Sequence, residues 1–248
     1  MKFLRIMKFD FESIIKNPAL LISNTLLPLI LIGLLGFVTK SNYGNQGMSS
    51  FDYYGVTMMV LSALLVVMTA TNVFMEERVK QPNTRMIYTP IPKYYIYGSK
   101  ILSTSIVGFI CLDSITILGQ YIFQINFGGA FLIYFLILLN ALVFFSSCFG
   151  VMLCCLLKTE EKASSIGQLP IIFSVVLGGV FFNIYGLGRI MSTISNLSPV
   201  KWILESSFRV IYDHNLNMVF PVTLSILFVA VLCVLVCQKT FRTEEYTC

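Results

Sequence analysis

Charge is what this sequence has least of. Only 12% of its 248 residues are Asp, Glu, Lys or Arg, against about 25% in an ordinary soluble domain. Hydrophobic residues make up 56%, and the mean hydropathy is +0.82. Such a chain cannot clothe a water-facing surface in polar groups. Its apolar runs of about 20 residues mark an integral membrane protein. The length suits a single membrane domain with no separate soluble one.

Histidine is scarcer still. The one His, His214, falls in a loop. No apolar run gathers His, Asp and Glu, so catalysis inside the membrane has no residues to work with, and no metal-ligand set is apparent. The phosphate-cradling pattern Gly-x-x-x-x-Gly-Lys-Ser/Thr is missing, so the chain does not bind ATP by that route. Inverted repeats and several mid-span charges are absent too, which argues against an ion-coupled secondary transporter. Of the seven cysteines, all but Cys248 lie inside or at the end of an apolar run. That placement argues against a disulfide framework. Cys233 and Cys237 share a helix face with no His or acid nearby, and read as apolar packing. The first apolar run is too long for a signal peptide, and no small-x-small cleavage site follows it.

What is present is an all-α membrane pattern. Lipid offers the backbone no hydrogen-bond partners, so spans of this length must be helices. Six are expected, at Ala19–Val38, Asp52–Met75, Tyr95–Phe123, Ala130–Leu157, Ala163–Phe182 and Met218–Gln238. Of the 17 Lys and Arg, only Lys40, Arg189, Lys201 and Arg209 fall on one side of this frame. The excess on the other side, from Lys2 to Arg242 and including Lys100 at the end of the second loop, places both termini in the cytoplasm. The localisation expected is the plasma membrane, multi-pass.

Three segments are not plain spans. In residues 1–17, Lys2, Arg5, Lys8, Glu12 and Lys16 recur at helical spacing, while Phe3, Ile6, Met7, Phe11, Ile14 and Ile15 fill the other face. This predicts an amphipathic helix in the inner interface, ended at Asn17-Pro18. Between spans two and three lies "EERVKQPNTRMIYTPIPKYYIYGSK". Its prolines stiffen it, and Tyr88, Tyr94, Tyr95 and Tyr97 suit the membrane–water boundary. Residues 76–93 therefore read as a short charged helix held against the inner face, a docking surface for a cytoplasmic partner. Between spans five and six, residues 183–217 are long yet apolar. They predict two short amphipathic helices in the outer leaflet, broken at Asn196–Pro199. Ser198 would cap the second with Pro199 at its first position, and Glu205 and Arg209 would pair one turn apart.

Asp113 is the one acid expected in the middle of a span, toward the outer leaflet, with no Lys or Arg inside a span to neutralise it. An ionisable residue there is a candidate for function; the alternative is structural, a neutral or locally hydrogen-bonded Asp that packs the bundle, or one paired with Arg189, Lys201 or Arg209 of the outer segment. Phe74, Phe144, Phe145, Phe173, Phe181 and Phe182 would line an apolar path suited to a lipid-like, amphipathic or peptide substrate.

The order of these parts resembles the permease subunit of ABC-2 type ABC transporters. The matching residues are Glu76, Glu77, Arg78, the apolar pair Met86-Ile87, Thr89-Pro90 and Lys100 around the second loop. Gly179, Phe181, Phe182, Pro199 and Arg209 match at the end of span five and the return. Gln81-Pro82 departs from the family's usual Gly-Thr. The resemblance covers nearly the whole chain. It implies a separate ATP-binding subunit, two per complex, carrying the ATP and Mg, and a second permease, either another copy or a similar chain. It assigns ATPase coupling to Glu76, Glu77, Arg78, Arg85, Met86, Ile87, Thr89 and Pro90. The outer gate falls to Gly179, Phe181, Phe182, Pro199, Glu205 and Arg209. Membrane lipids are expected around the complex and nucleic acid is not. The implied cargo is a drug or an antimicrobial or other amphipathic peptide leaving a bacterial cell; the alternative is a lipid-linked glycan or another envelope component.

Overall fold

The computed structural model describes residues 2–40, 48–75, 92, 94–157, 159–181, 195–196 and 198–240. Among them every regular element is helical. They are α1 (Lys2–Lys16), α2 (Pro18–Val38), α3 (Ser50–Met75), α4 (Tyr94–Ile122), α5 (Leu132–Leu157, entered through a 3-10 turn at Gly129–Phe131), α6 (Glu160–Gly178), α7 (Pro199–Tyr212) and α8 (Val219–Thr240). Among the described residues five helices are long and apolar enough to cross a membrane: α2, α3, α4, α5 with its 3-10 turn, and α8.

The boundary between α1 and α2 follows from local chemistry. Asn17 is extended, and its side chain accepts a hydrogen bond from Ala19 N at 3.2 Å. Pro18 takes the first helical position, where its missing N–H costs nothing. The expected break at Asn17-Pro18 is therefore where α1 gives way to α2.

The fifth expected span is present as a helix, with shifted bounds and a more polar start. It folds as α6, Glu160–Gly178 rather than Ala163–Phe182, and it is not among the five helices apolar enough to span. Glu161, Lys162, Ser164, Ser165 and Gln168 dilute its first half. Gly179 ends it early, adopting φ 78° so that its N–H returns to carbonyls of the last turn.

α3 is the central element. Of its apolar window 72% is buried, against 22% for α2 and 17% for α8. Its most extensive packing is against α5, and Gly150 marks the closest approach: a Cβ there would stand 2.7 Å from both Ala70 Cβ and Val67 O. α8 packs on the other side of α5, with Cys233 and Cys237 in the core. The outward faces of α2 and α8 carry exposed Ile22, Leu26, Ile30, Leu34, Leu224 and Phe228. Such surfaces are stable against lipid or another apolar chain, not water.

Candidate functional site

At one end of the bundle, α1 lies across the start of α4. Its outer face carries an exposed ladder, with Lys8 3.9 Å and Lys16 3.8 Å from the Glu12 carboxylate. Pairs of this kind contribute only a few tenths of a kcal/mol, about 0.3–0.5 each. The inner face holds the chemistry. Ile14 is fully buried with Leu20, Val73, Val107 and Cys111. One turn earlier, Asp10 is 1% exposed, and its Oδ1 lies 3.0 Å from Lys100 Nζ, which is itself 0% exposed. Ser99 Oγ donates to the second carboxylate oxygen at 2.8 Å. The Lys100 ammonium donates again, to Val73 O at 3.1 Å. Val73 lies in the last turn of α3, where carbonyls lack intrahelical donors and the helix dipole is negative. One ammonium thus ties α1, the end of α3 and the start of α4 together. Phe3 against Tyr95, edge-on at 5.3 Å, extends the α1–α4 contact.

This node corrects the charge reading. Lys100 is not a loop cation: it lies within α4, fully buried, so a span does hold a lysine. The pairing that matters for it comes from Asp10, which the polar face of α1 did not include. The signal was there. Asp10 is in phase with Phe3, Ile6 and Ile14 on the apolar stripe, and a charge in that stripe demands a partner. Tyr97 is likewise core, at 6% exposure, whereas Tyr94 is exposed as an interfacial tyrosine would be. Glu76, Glu77, Arg78, Arg85, Met86, Ile87, Thr89 and Pro90, the residues expected to couple to an ATPase, lie outside the described residues. The helices on either side of them, α3 ending two residues after Val73 and α4 starting six residues before Lys100, meet at this node.

At the opposite end, Gly179 and Phe181 are held by two tyrosines of α3. Tyr53 Oη donates to Gly179 O at 2.5 Å and Tyr54 Oη to Phe181 O at 3.1 Å. Tyr53 also stacks on Phe208 of α7 at 5.7 Å. Pro199 opens α7 as expected, but the capping role of Ser198 is corrected. Its side chain makes no cap bond and donates to Ser174 O of α6 at 2.7 Å, stitching the two helices. Gly178 lets them close, since a Cβ there would meet Val200 at 2.8 Å. Glu205 and Arg209 pair at 2.6 Å, half-exposed. Phe182 and the expected first helix of the 183–217 segment, Ser195 aside, lie outside the described residues. Nearby, Asp52 Oδ1 accepts Asn126 N at 2.7 Å, fixing the turn before α5. Burial, and then the Asp52 charge, raise the pKa of the Tyr212 phenol above its ordinary value, although its hydroxyl makes no well-aligned hydrogen bond. Tyr53 and Tyr54 escaped the sequence reading because their partners are backbone carbonyls, which no residue identity advertises.

Asp113 is half-buried on α4, and its Oδ2 accepts Asn140 Nδ2 of α5 at 3.2 Å. Of the six phenylalanines expected along a path, the five among the described residues do not share a face. Phe74 is in the core, Phe144 and Phe145 pack on its edge, and Phe173 and Phe181 point outward.

Among known proteins, the chain is similar to the linearmycin resistance permease protein LnrN of Bacillus subtilis (strain 168). The two are 22% identical over 152 residues, covering 61% of this chain. The match spans 39% of that relative's length, so the likeness is to part of a longer protein. Residues 1–212 match the ABC-2 type transporter family, which takes in α1 through α7 and both ends of the bundle just described. The chain belongs to the ABC-2 type transporter family.

Proposed function

We propose that the chain is the membrane-spanning subunit of an ATP-driven exporter that moves hydrophobic or amphipathic compounds out of a bacterial cell. As a family member it is a transmembrane transport subunit, not itself catalytic, and such subunits work with an ATP-binding subunit. In this reading α6 is the fifth of six spans, both termini face the cytoplasm of a plasma-membrane protein, and two copies or two similar chains enclose the path.

The observation that carries the proposal is the Lys100 node. Closure of two ATPases would push on residues 76–93, with Glu76, Glu77, Arg78 and Arg85 as ion-pair partners, Met86 and Ile87 as apolar anchors, and Thr89-Pro90 as the stop. Because α1, α3 and α4 meet at one ammonium, that push moves three helices together rather than shearing one. At the far end the same helix α3 holds Gly179 and Phe181 through Tyr53 and Tyr54. A rigid α3 therefore joins the force-receiving end to the outer gate. The resistance named for the relative LnrN favours an amphipathic toxic compound as cargo.

The test is co-expression with an ABC-type ATP-binding subunit from the same organism, followed by reconstitution in vesicles. ATP hydrolysis stimulated by linearmycin, with reduced linearmycin sensitivity of the expressing cells, is the expected result. Stimulation by a lipid-linked glycan instead would move the cargo to the cell envelope. A chain that is stable and transport-active without any ATPase would overturn the proposal.

A further inference from the structure

Asp113 and Asn140 pose a problem in hydrogen-bond accounting. One bond joins them, from Asn140 Nδ2 to Asp113 Oδ2 at 3.2 Å. The other oxygen of each side chain, Asp113 Oδ1 and Asn140 Oδ1, is inaccessible to solvent and has no donor. An ionised carboxylate and an amide carbonyl are both acceptors only, so neither oxygen can satisfy the other. Leaving a buried acceptor unpaired is costly, and leaving a charged one unpaired more so.

The charge has no counter-ion among the described residues either. Among the described residues the ion pairs join Lys8 and Lys16 to Glu12, Lys100 to Asp10 and Arg209 to Glu205, and none includes Asp113. α2 and α5 carry no charged residue. α3 carries only Asp52, which is bonded to Asn126 N, and α4 carries only Lys100 besides Asp113. Lys100 lies 13 residues away, about 20 Å along the helix at 1.5 Å per residue, and is committed to Asp10 and Val73. The charges of α1 lie at that same end, and Lys239 of α8 is in its last turn.

A single proton removes every deficit at once. We propose that Asp113 is held as the neutral carboxylic acid and donates its proton from Oδ1 to Asn140 Oδ1, closing a two-bond acid–amide ring that clasps α4 to α5. In the ring Asp113 Oδ2 is the carbonyl oxygen and accepts from Asn140 Nδ2, as the structure has it. Asp113 Oδ1 is the hydroxyl and Asn140 Oδ1 its acceptor. All four groups are then paired, and no charge faces the hydrocarbon. The side chain that reads from sequence as a lone membrane carboxylate is a neutral interhelix fastener.

The test is infrared difference spectroscopy of the chain in lipid vesicles at neutral pH. The expected wild-type spectrum contains a protonated-carboxyl C=O band that shifts in deuterated buffer, disappears in Asp113→Asn and moves in Asn140→Leu. The exchanged variant Asp113→Asn/Asn140→Asp should regain the band, because the ring is the same read in reverse. Asp113→Asn alone should keep the wild-type thermal midpoint, since two amides form the same ring. Absence of the band in the wild type, or a carboxylate signature removed by Asp113→Asn, would overturn the proposal whatever the stability of the variants. So would an exchanged variant that folds yet shows no band.

Discussion

Asp10 and Lys100 meet at 3.0 Å with both side chains buried, 90 residues apart in sequence. Removing one partner leaves the other charge buried and unpaired. Such truncations cost about 3–5 kcal/mol. Asp10→Ala and Lys100→Met are each expected to lower the thermal midpoint of the purified chain sharply. Replacing both with apolar residues, Asp10→Leu with Lys100→Met, should recover most of that loss, because a packed apolar pair needs no compensation. The recovered protein should nonetheless couple ATP hydrolysis to transport poorly, since α1 is no longer pinned to the end of α3. Paired measurements of stability and of transport per ATP check both halves.

Gly150 sets the distance between α3 and α5. Its neighbours there include the backbone carbonyl of Val67, which cannot swing aside as a side chain would. Gly150→Ala is expected to destabilise by about 1–3 kcal/mol, the usual cost of overpacking. Gly33→Ala is the control. A Cβ at Gly33 would meet only the Phe123 ring at 3.7 Å, an ordinary contact. Alanine also favours the helix over glycine by about 1 kcal/mol. Unfolding in detergent should therefore separate the two substitutions in sign.

These two sites also show where sequence is informative. Asn17-Pro18 and Ser198-Pro199 were legible because a helix start is written in adjacent residues. Glu205 and Arg209 were legible because one helix turn brings them together whatever the fold does. Asp10 with Lys100, and Tyr53 with the Gly179 carbonyl 126 residues away, depend on how helices are arranged around α3, and a helical repeat says nothing of that. The length of α6 is an intermediate case. Gly179 was singled out as part of a gate, yet its commoner role as a left-handed helix terminus was the one that decided where the helix stopped.

Tyr53 gives a test at the far end. Its hydroxyl is buried and donates to Gly179 O, so Tyr53→Phe keeps the stacking on Phe208 and removes one hydrogen bond. The orphaned carbonyl costs about 1–3 kcal/mol if nothing replaces the donor. The same loss frees the end of α6 from α3. In the reconstituted complex Tyr53→Phe is expected to raise basal leakage of a preloaded amphipathic dye. Tyr54→Phe should do so less, because its bond to Phe181 O is longer, at 3.1 Å. Equal leakage in both variants and the wild type would show that these contacts hold no gate.

The segment 76–93 is best tested by reversing charge without touching the bundle. Arg78 and Arg85 are the two arginines on either side of Gln81-Pro82, where the sequence departs from its family. If they face acids on an ATPase, Arg78→Glu with Arg85→Glu turns two attractions into two repulsions and should release the ATPase on co-purification. Neither residue enters an apolar span, so membrane insertion and the thermal midpoint of the isolated chain should hold. Raised salt should weaken the wild-type complex in the same direction, because exposed charge pairs are screened within about 10 Å at 0.1 M. Salt should have little effect on the Asp10–Lys100 pair, which is buried. An intact complex and full transport in the double variant would mean that the segment serves only to orient the chain in the membrane.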